Sequence, residues 1–382
     1  MEPSGIKYEI HVIQNFAPSN LNRDDTGQPK SATFGGFRRA RISSQCSKRS
    51  IRMALKETSP ELTGERTKLL KSELMKNIKK EGTTEEANNK AVDSFITQFY
   101  SKMEGDKTSV LLFVSRAEIQ KGIEIIDKYW DTFSTDKKIK SQDEKNIAAE
   151  LNKAKTSADI ALFGRMLAEN PARNTDAACQ VAHPISTHKV DMEMDYYTAV
   201  DDLNPEGETG AGMIGDVGYN SACFYRYALV DRDQLARNLA RKTERRNGRW
   251  LEELDESDYA EADEITKHFL DAFIHAIPTG KQNSFAAHNL PSFGMLLKRH
   301  SGVPLSLANA FSKPVRPKKN DDDIVGLSIE TLIKHWNALT AVYGEQSITC
   351  KSCFHVQQER RLEDLSDCFT GNVSEAIEQV FK

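Results

Sequence analysis

Two rhythms of apolar and polar positions follow one another along this chain. Residues 7–14 read Lys-Tyr-Glu-Ile-His-Val-Ile-Gln, and their β-branched and aromatic content predicts a strand. Residues 15–36 are rich in Asn, Asp, Pro, Ser and Gly and predict a long loop, the kind of segment that carries function in a compact domain. A helix is expected to open at Ser43-Ser44, because serine is a favoured N-cap and no Gly or Pro follows until Pro60. Residues 61–170 contain no proline and are rich in Lys, Glu, Ala and Leu, which predicts helices over 65–81, 85–103, 116–133 and 143–155. Within that stretch 108–114 reads as a short buried strand, and Ser115-Arg116-Ala117-Glu118 has the form of a capping box. After Pro171 the runs shorten: β-like segments lie at 182–190, 196–200, 222–230, 285–288 and 305–310, with helices expected over 258–277 and 328–342.

Strands on both sides of a helical stretch predict an α+β architecture: a core from residues 1–59 and 181–382, with a helical insertion over 60–180. Residues 232–263 carry both charge signs densely and read as a solvated helix and loop. Gly210-Ala211-Gly212-Met213-Ile214-Gly215 matches a dinucleotide fingerprint in letters only, since a strand and not a helix is expected after it. The glycines between 207 and 218 instead predict a flexible β-hairpin, about 201–222, with Met213 and Ile214 exposed near its tip as an apolar wedge.

The longest apolar run, 110–114, is far short of the roughly 20 residues of a membrane span, so no membrane association is expected. No secretory signal opens the chain, and the six scattered cysteines read as reduced thiols of a cytoplasmic protein. Net charge is −4, but 22–56 holds nine basic residues against Asp24 and Asp25, so this segment is +7 and the remainder −11. That asymmetry points to a polyanion partner at one place on a mildly acidic protein.

The cluster centres on Arg38-Arg39-Ala40-Arg41-Ile42-Ser43-Ser44-Gln45 and the helix after it. Helical spacing puts Lys48, Arg52 and Lys56 on one stripe, and the helix start offers free N–H groups beside the Ser43 and Ser44 hydroxyls. The combination suits phosphate. Asp24-Asp25 and Asp201-Asp202 are paired carboxylates of the kind that hold Mg²⁺, but they read more simply as turn and N-cap residues. Cys350 and Cys353, with His355 and Cys368, form one close pair where a structural zinc shows two. His183 and His188 read as core histidines, and no cofactor or metal is expected.

These blocks resemble a known family. Leu21-Asn22-Arg23-Asp24-Asp25, Phe34-Gly35-Gly36, Arg39-Ala40-Arg41-Ile42-Ser43-Ser44-Gln45 and Lys48-Arg49 resemble the CasC-type backbone subunit of the type I-E CRISPR surveillance complex, Cascade. The resemblance continues through Asp159–Met166, Thr187–Asp191, Tyr197–Leu203, Phe224–Tyr227, Gly280-Lys281-Gln282 and Pro304–Phe311. It implies a palm related to the RNA-recognition motif, with a helical fingers insertion and a β-hairpin thumb. It also implies a non-catalytic protein that polymerises along a CRISPR RNA beside other Cascade subunits and presents the guide in segments to target DNA, in antiviral defence. Arg23, Lys30, Arg41, Ser43, Ser44, Gln45, Lys48, Arg49, Arg52 and Lys281 would grip the guide backbone. Met166 and Tyr197 would pack against bases, and Met213 and Ile214 would occupy the thumb. The alternative is a type III-like backbone subunit that cuts target RNA with a metal held at Asp24 or Asp25.

Overall fold

Strand β1, Lys7–Ser19, is buried on both of its faces, and the rest of its unit is arranged around it. In the computed structural model, which describes residues 5–78, 82–135, 139–167, 170–199, 213–318, 323–356 and 363–382, the chain divides into two units. One runs to Ala54 and adds Val181–Leu229 and the chain from Lys267 on; the other comprises Leu55–Gln180 and Val230–Thr266.

In the first unit, Ser31–Phe34 (β2) and Phe37–Ala40 (β3) form a hairpin. Its turn, Gly35-Gly36, has both φ angles positive, as a type I′ hairpin turn requires. Ser44–Thr58 (α1, which leaves this unit after Ala54) follows. Then come Glu193–Ala199 (β4), Met213–Asp231 (β5), Glu256–His275 (α2, which enters this unit at Lys267), Phe293–Arg299 (β6), Ile324–Tyr343 (α3), Ile348–His355 (β7) and Val373–Phe381 (α4). The sheet order is β4-β5-β1-β6-β7, with β6 antiparallel to both β1 and β7. One sheet face, carrying Ile13, Tyr225, Tyr227, Phe293, Met295 and Leu297, packs on Ile329, Leu332 and Trp336 of α3. On the other face Tyr8 stacks on Phe381 of α4 at 4.4 Å. This is the α+β class that the sequence predicts.

Two polar residues on the buried odd positions of β1 are held by groups from the neighbouring chain. Glu9 accepts from Arg299 Nε at 2.7 Å, from the Tyr227 hydroxyl at 2.8 Å and from the Leu305 N–H at 3.0 Å. His11 Nδ1 lies 2.9 Å from the Tyr225 hydroxyl, and burial holds its pKa down at about 4. Pairing offsets the burial of Glu9 and Arg299, while His11 Nε2 and Arg299 Nη2 stay without a hydrogen-bond partner among the described residues.

The second unit is mainly helical. Glu85–Phe99, Arg116–Lys128 and Ser141–Lys153 pack their apolar faces into one core with Leu70, Leu74, Leu112 and Val114. The Ser115 capping box forms as the sequence predicts. The helix expected over 65–81 is broken up: Glu65–Thr67 is a strand paired with Leu112–Val114, and among the described residues of that range only Leu70–Met75 is helical. Val230–Thr266 also belongs to this unit.

Several expectations for the first unit are corrected. β1 runs to Ser19 and 31–40 is the hairpin, so the long loop shrinks to about 20–30. Residues 285–288 and 305–310 are not strands; the chain turns there through Gln282–Phe285 and Ala308–Phe311. The central strand β6 escapes prediction because every one of its residues is buried, which leaves no alternation to read.

Candidate nucleic-acid interface

The basic segment is sorted by the fold into structural and exposed cations. Arg39 is fully buried, and its guanidinium donates to the carbonyls of Ser186 at 2.9 Å and Phe311 at 2.7 Å. Helix α1 begins on a built cap: Ser43 Oγ accepts the Cys46 N–H at 3.1 Å, and Asn22 Oδ1 accepts the Ser43 N–H at 2.8 Å. Along α1, Ile51 and Leu55 turn inward with Ser47, Ser50 and Arg52, which leaves Gln45 and Arg49 exposed and Lys48 half-buried. The expected stripe is therefore corrected. Arg52 is 8% exposed, and Lys56 is ion-paired with Glu65 at 2.7 Å. Spacing placed these residues on one face, but that face is not the one open to solvent.

Arg23 is exposed on the loop before β2. Asn20 ties that loop down, its Nδ2 donating to the carbonyls of Gly27 at 3.0 Å and of Gly218, on β5, at 2.8 Å. Asp24 ties it internally. Its Oδ1 accepts from the Thr26 hydroxyl at 2.7 Å, the Thr26 N–H at 2.9 Å and the Gln28 N–H at 3.0 Å. These bonds, the Thr26 hydroxyl foremost, hold its carboxyl below the usual range.

Arg23 and Arg49 both line a groove of about 370 Å³, together with Asn22, Asp24, Cys46, Thr279 and Gly280. A Cβ at Gly280 would fall 2.3 Å from the Leu21 carbonyl oxygen, so only glycine allows this approach. Lys281, the next residue, is half-buried in left-handed backbone at φ +50°. Lys30 and Arg49 both act on the Cys46 thiol, whose pKa burial nevertheless pushes up.

Arg41 and the Ser44 N–H both reach His183 Nδ1 at 3.1 Å. His183 is exposed, which corrects its reading as a core histidine. His188 is half-buried, with Nε2 accepting the Cys223 N–H at 3.1 Å. Sequence reasoning missed Asn20, Asn22, Thr279 and the role of His183. His183 lies 139 residues from Ser44, and no local signal joins them.

β4 and the start of β5 form an antiparallel ribbon, with Tyr197 opposite Gly215, Thr198 opposite Ile214 and Ala199 opposite Met213. Every β4 residue is exposed, and Met213 and Ile214 are 57% and 60% exposed. The Tyr197 ring lies where a Cβ on Gly215 would be, 2.5 Å away. The hairpin tip, with Asp201-Asp202, Gly210 and Gly212, falls outside the described residues. Met166 is 84% exposed and belongs to the other unit.

Cys350 and Cys353 do not converge on a metal. Three positions apart on β7, they point to opposite sides of the strand. Cys353 Sγ lies 3.2 Å from Cys368 Sγ, and Cys350 Sγ lies 3.3 Å from the Gln379 carbonyl. Among the described residues no three His, Cys, Asp or Glu side chains gather as a metal site, and no helix is long and apolar enough to cross a membrane.

Two solved structures resemble the chain over nearly its whole length. One, a chain of a "CRISPR RNA-guided surveillance complex, pre-nicking", is 27% identical with a TM-score of 0.82, covering 97% of this chain and 98% of that one. Another, of a "CRISPR RNA-guided surveillance complex", shares the fold at 23% identity and a TM-score of 0.72, with the same coverage. No curated protein matches. The family model for CT1975-like proteins spans residues 8–381, from the first residues of β1 to the end of α4, and the chain belongs to that family.

Proposed function

We propose that this chain is the guide-binding backbone subunit of a type I-E CRISPR surveillance complex. It would line up with further copies of itself and with other subunits along a CRISPR RNA and offer that guide to target DNA. The observation that carries the reading is that Arg23 and Arg49 line one groove at Gly280, with Gln45 and Lys48 on the same helix α1 as Arg49. The guanidiniums and the ammonium suit phosphate oxygens, and contacts to phosphate carry no sequence information, as a subunit that must accept every guide requires. The 27% identical chain of a surveillance complex, matched along its whole length, supports the reading. The exposed ribbon with Tyr197, Met213 and Ile214 offers sequence-tolerant apolar contacts to bases at the edge of the same unit.

In this reading the chain itself does not cut nucleic acid. Support comes from Asp24, whose Oδ1 is engaged three times in holding its own loop. The deciding experiment is expression of the chain with a CRISPR array and its neighbouring subunits. A co-purified RNA of uniform length, lost when Arg23 and Arg49 become Ala, is the expected result. Recovery of RNA of random length, or of the same RNA with the double variant, overturns the assignment. Regular cleavage of complementary RNA that depends on Asp24 or Asp25 and a divalent cation moves the chain to the enzyme class.

A further inference from the structure

The charged stretch after Val230 builds a second cationic element, in the unit that does not hold the Arg23–Arg49 groove. Arg245–Arg246 pairs antiparallel with Arg249–Trp250, and the turn between them is Asn247-Gly248, with φ +52° and +77°. That is the sequence and geometry of a tight two-residue hairpin turn. Its foot is fastened by Arg237, whose Nη1 donates to the carbonyls of Lys242 at 3.3 Å and Glu252 at 3.0 Å, one on each side of the ribbon. The ribbon is therefore built, and its distal half is cationic.

Three observations show that these cations do not serve the fold. Arg246 and Arg249 stand directly opposite one another, a like-charge pair that costs stability in a sheet. Both are exposed, and among the described residues neither is in an ion pair. The nearby acids Asp255 and Asp258 are engaged instead by Lys242, at 3.1 and 2.6 Å. Beside the ribbon opens a cleft of about 790 Å³ of mixed charge, lined by Lys145, Lys153, Arg241 and Arg245 but also by Asp176, Glu244 and Glu252, so the cationic surface is the distal end of the ribbon itself.

We propose that this ribbon is a second nucleic-acid contact, which docks on the phosphate walls of B-form duplex DNA. Charge complementarity selects a polyanion. The state of Trp250 argues against an unpaired strand: its ring carries the guanidiniums of Arg237 and Arg245, 4.2 and 3.6 Å from its centroid, and is not open for a base to stack on. A two-stranded ribbon fits the major groove of B-form DNA, while the A-form major groove is too deep and narrow for side chains. The contact goes beyond the guide-binding reading and stands without it, because it uses different residues in a different unit.

The test uses the full chain with Arg246→Gln and Arg249→Gln, which leaves Arg245 on Trp250. Binding is followed by fluorescence anisotropy across a salt series on a DNA duplex, an RNA duplex of the same sequence and a single-stranded RNA. For the DNA duplex the log–log salt slope should fall by up to about 2, at roughly 0.9 per phosphate contact, and affinity near 0.1 M salt by about tenfold. Single-stranded RNA binding should stay within about twofold, and R246K with R249K should restore most of the duplex slope. An unchanged duplex slope, or an equal loss on single strands, overturns the proposal. Wild-type binding of the RNA duplex as tight as that of the DNA duplex overturns the B-form assignment. Displacement of DNA by polyglutamate from the wild type but not from the variant gives the ribbon to an acidic protein partner instead. The R23A/R49A variant, which should lose single strands, separates a failure here from a failure of the guide-binding reading.

Discussion

Glu118 and Arg165 form an ion pair at 2.8 Å with both side chains 1% exposed, and Arg173 joins the same carboxylate at 2.8 Å. Arg165 also donates to the Phe113 carbonyl at 3.0 Å, and Glu118 Oε2 caps the Ser115 N–H at 2.8 Å. The block from Asp159 to Met166 is thus anchored by structure at Arg165, while its next residue, Met166, stays in solvent.

Glu118→Gln should leave two buried guanidiniums short of charge and destabilise the helical unit by about 3–5 kcal/mol, measured by urea unfolding. Burial alone would raise the Glu118 pKa, yet the Arg165 and Arg173 guanidiniums hold it down at about 2. The stabilisation is therefore complete above about 4.5, the ordinary value, and is lost as pH falls from there toward 2. A melting profile for Glu118→Gln as steep in that window as the wild type's would contradict this account.

His11 acts at higher pH. The unfolded ring takes a proton near 6.5 and the buried one near 4, so the unfolded state binds more protons between those values. Stability should be full above 6.5 and fall by roughly 3 kcal/mol as pH drops toward 4. In His11→Gln, which removes the titration, denaturation midpoints between pH 7 and 4 should change correspondingly less.

Arg49 and Arg52 should separate cleanly. R23A with R49A is expected to lower the salt slope for single-stranded RNA by about 1.4, at about 0.7 per contact, with an unchanged melting temperature. R52A removes a buried and partnered guanidinium. It should cost about 1–3 kcal/mol of stability while the folded protein keeps its salt slope. The opposite pattern in anisotropy and urea titrations would return Arg52 to the interface.

Gly280→Ala tests the groove without touching its charge. The new Cβ meets backbone oxygens of Leu21 at 2.3 Å and Asn20 at 2.8 Å, so the turn must move. A stability loss of about 1–3 kcal/mol is expected, with weaker RNA binding at an unchanged salt slope. Binding indistinguishable from the wild type would mean that the groove is not used.

Met213→Ser with Ile214→Ser should leave the melting temperature of the free chain unchanged, because both side chains are already more than half exposed. Assembly or target pairing should suffer instead, which native mass spectrometry of the complex and a target-binding assay would show. A drop in the free chain's stability would instead assign these residues to its own packing.

The sequence by itself determined the α+β class, the capping box at Ser115, the helical run beginning at Glu85 and the basic concentration around α1. These rest on interactions within a few residues: a serine cap, a glycine turn, apolar positions at helical spacing. The tertiary structure decided which of the cations are free. Arg39 and Arg49 belong to the same basic cluster, yet one is locked onto Ser186 and Phe311 and the other opens to solvent beside Arg23. It also decided that His183 meets α1 at its start, that Cys353 meets Cys368 rather than Cys350, and that β6 is the buried strand beside β1. Each of these contacts joins residues well separated in the chain, and Cys350 is kept from Cys353 because the two point to opposite sides of one strand. Local periodicity states which residues share a face, and only the packing of the remaining chain settles whether that face is covered.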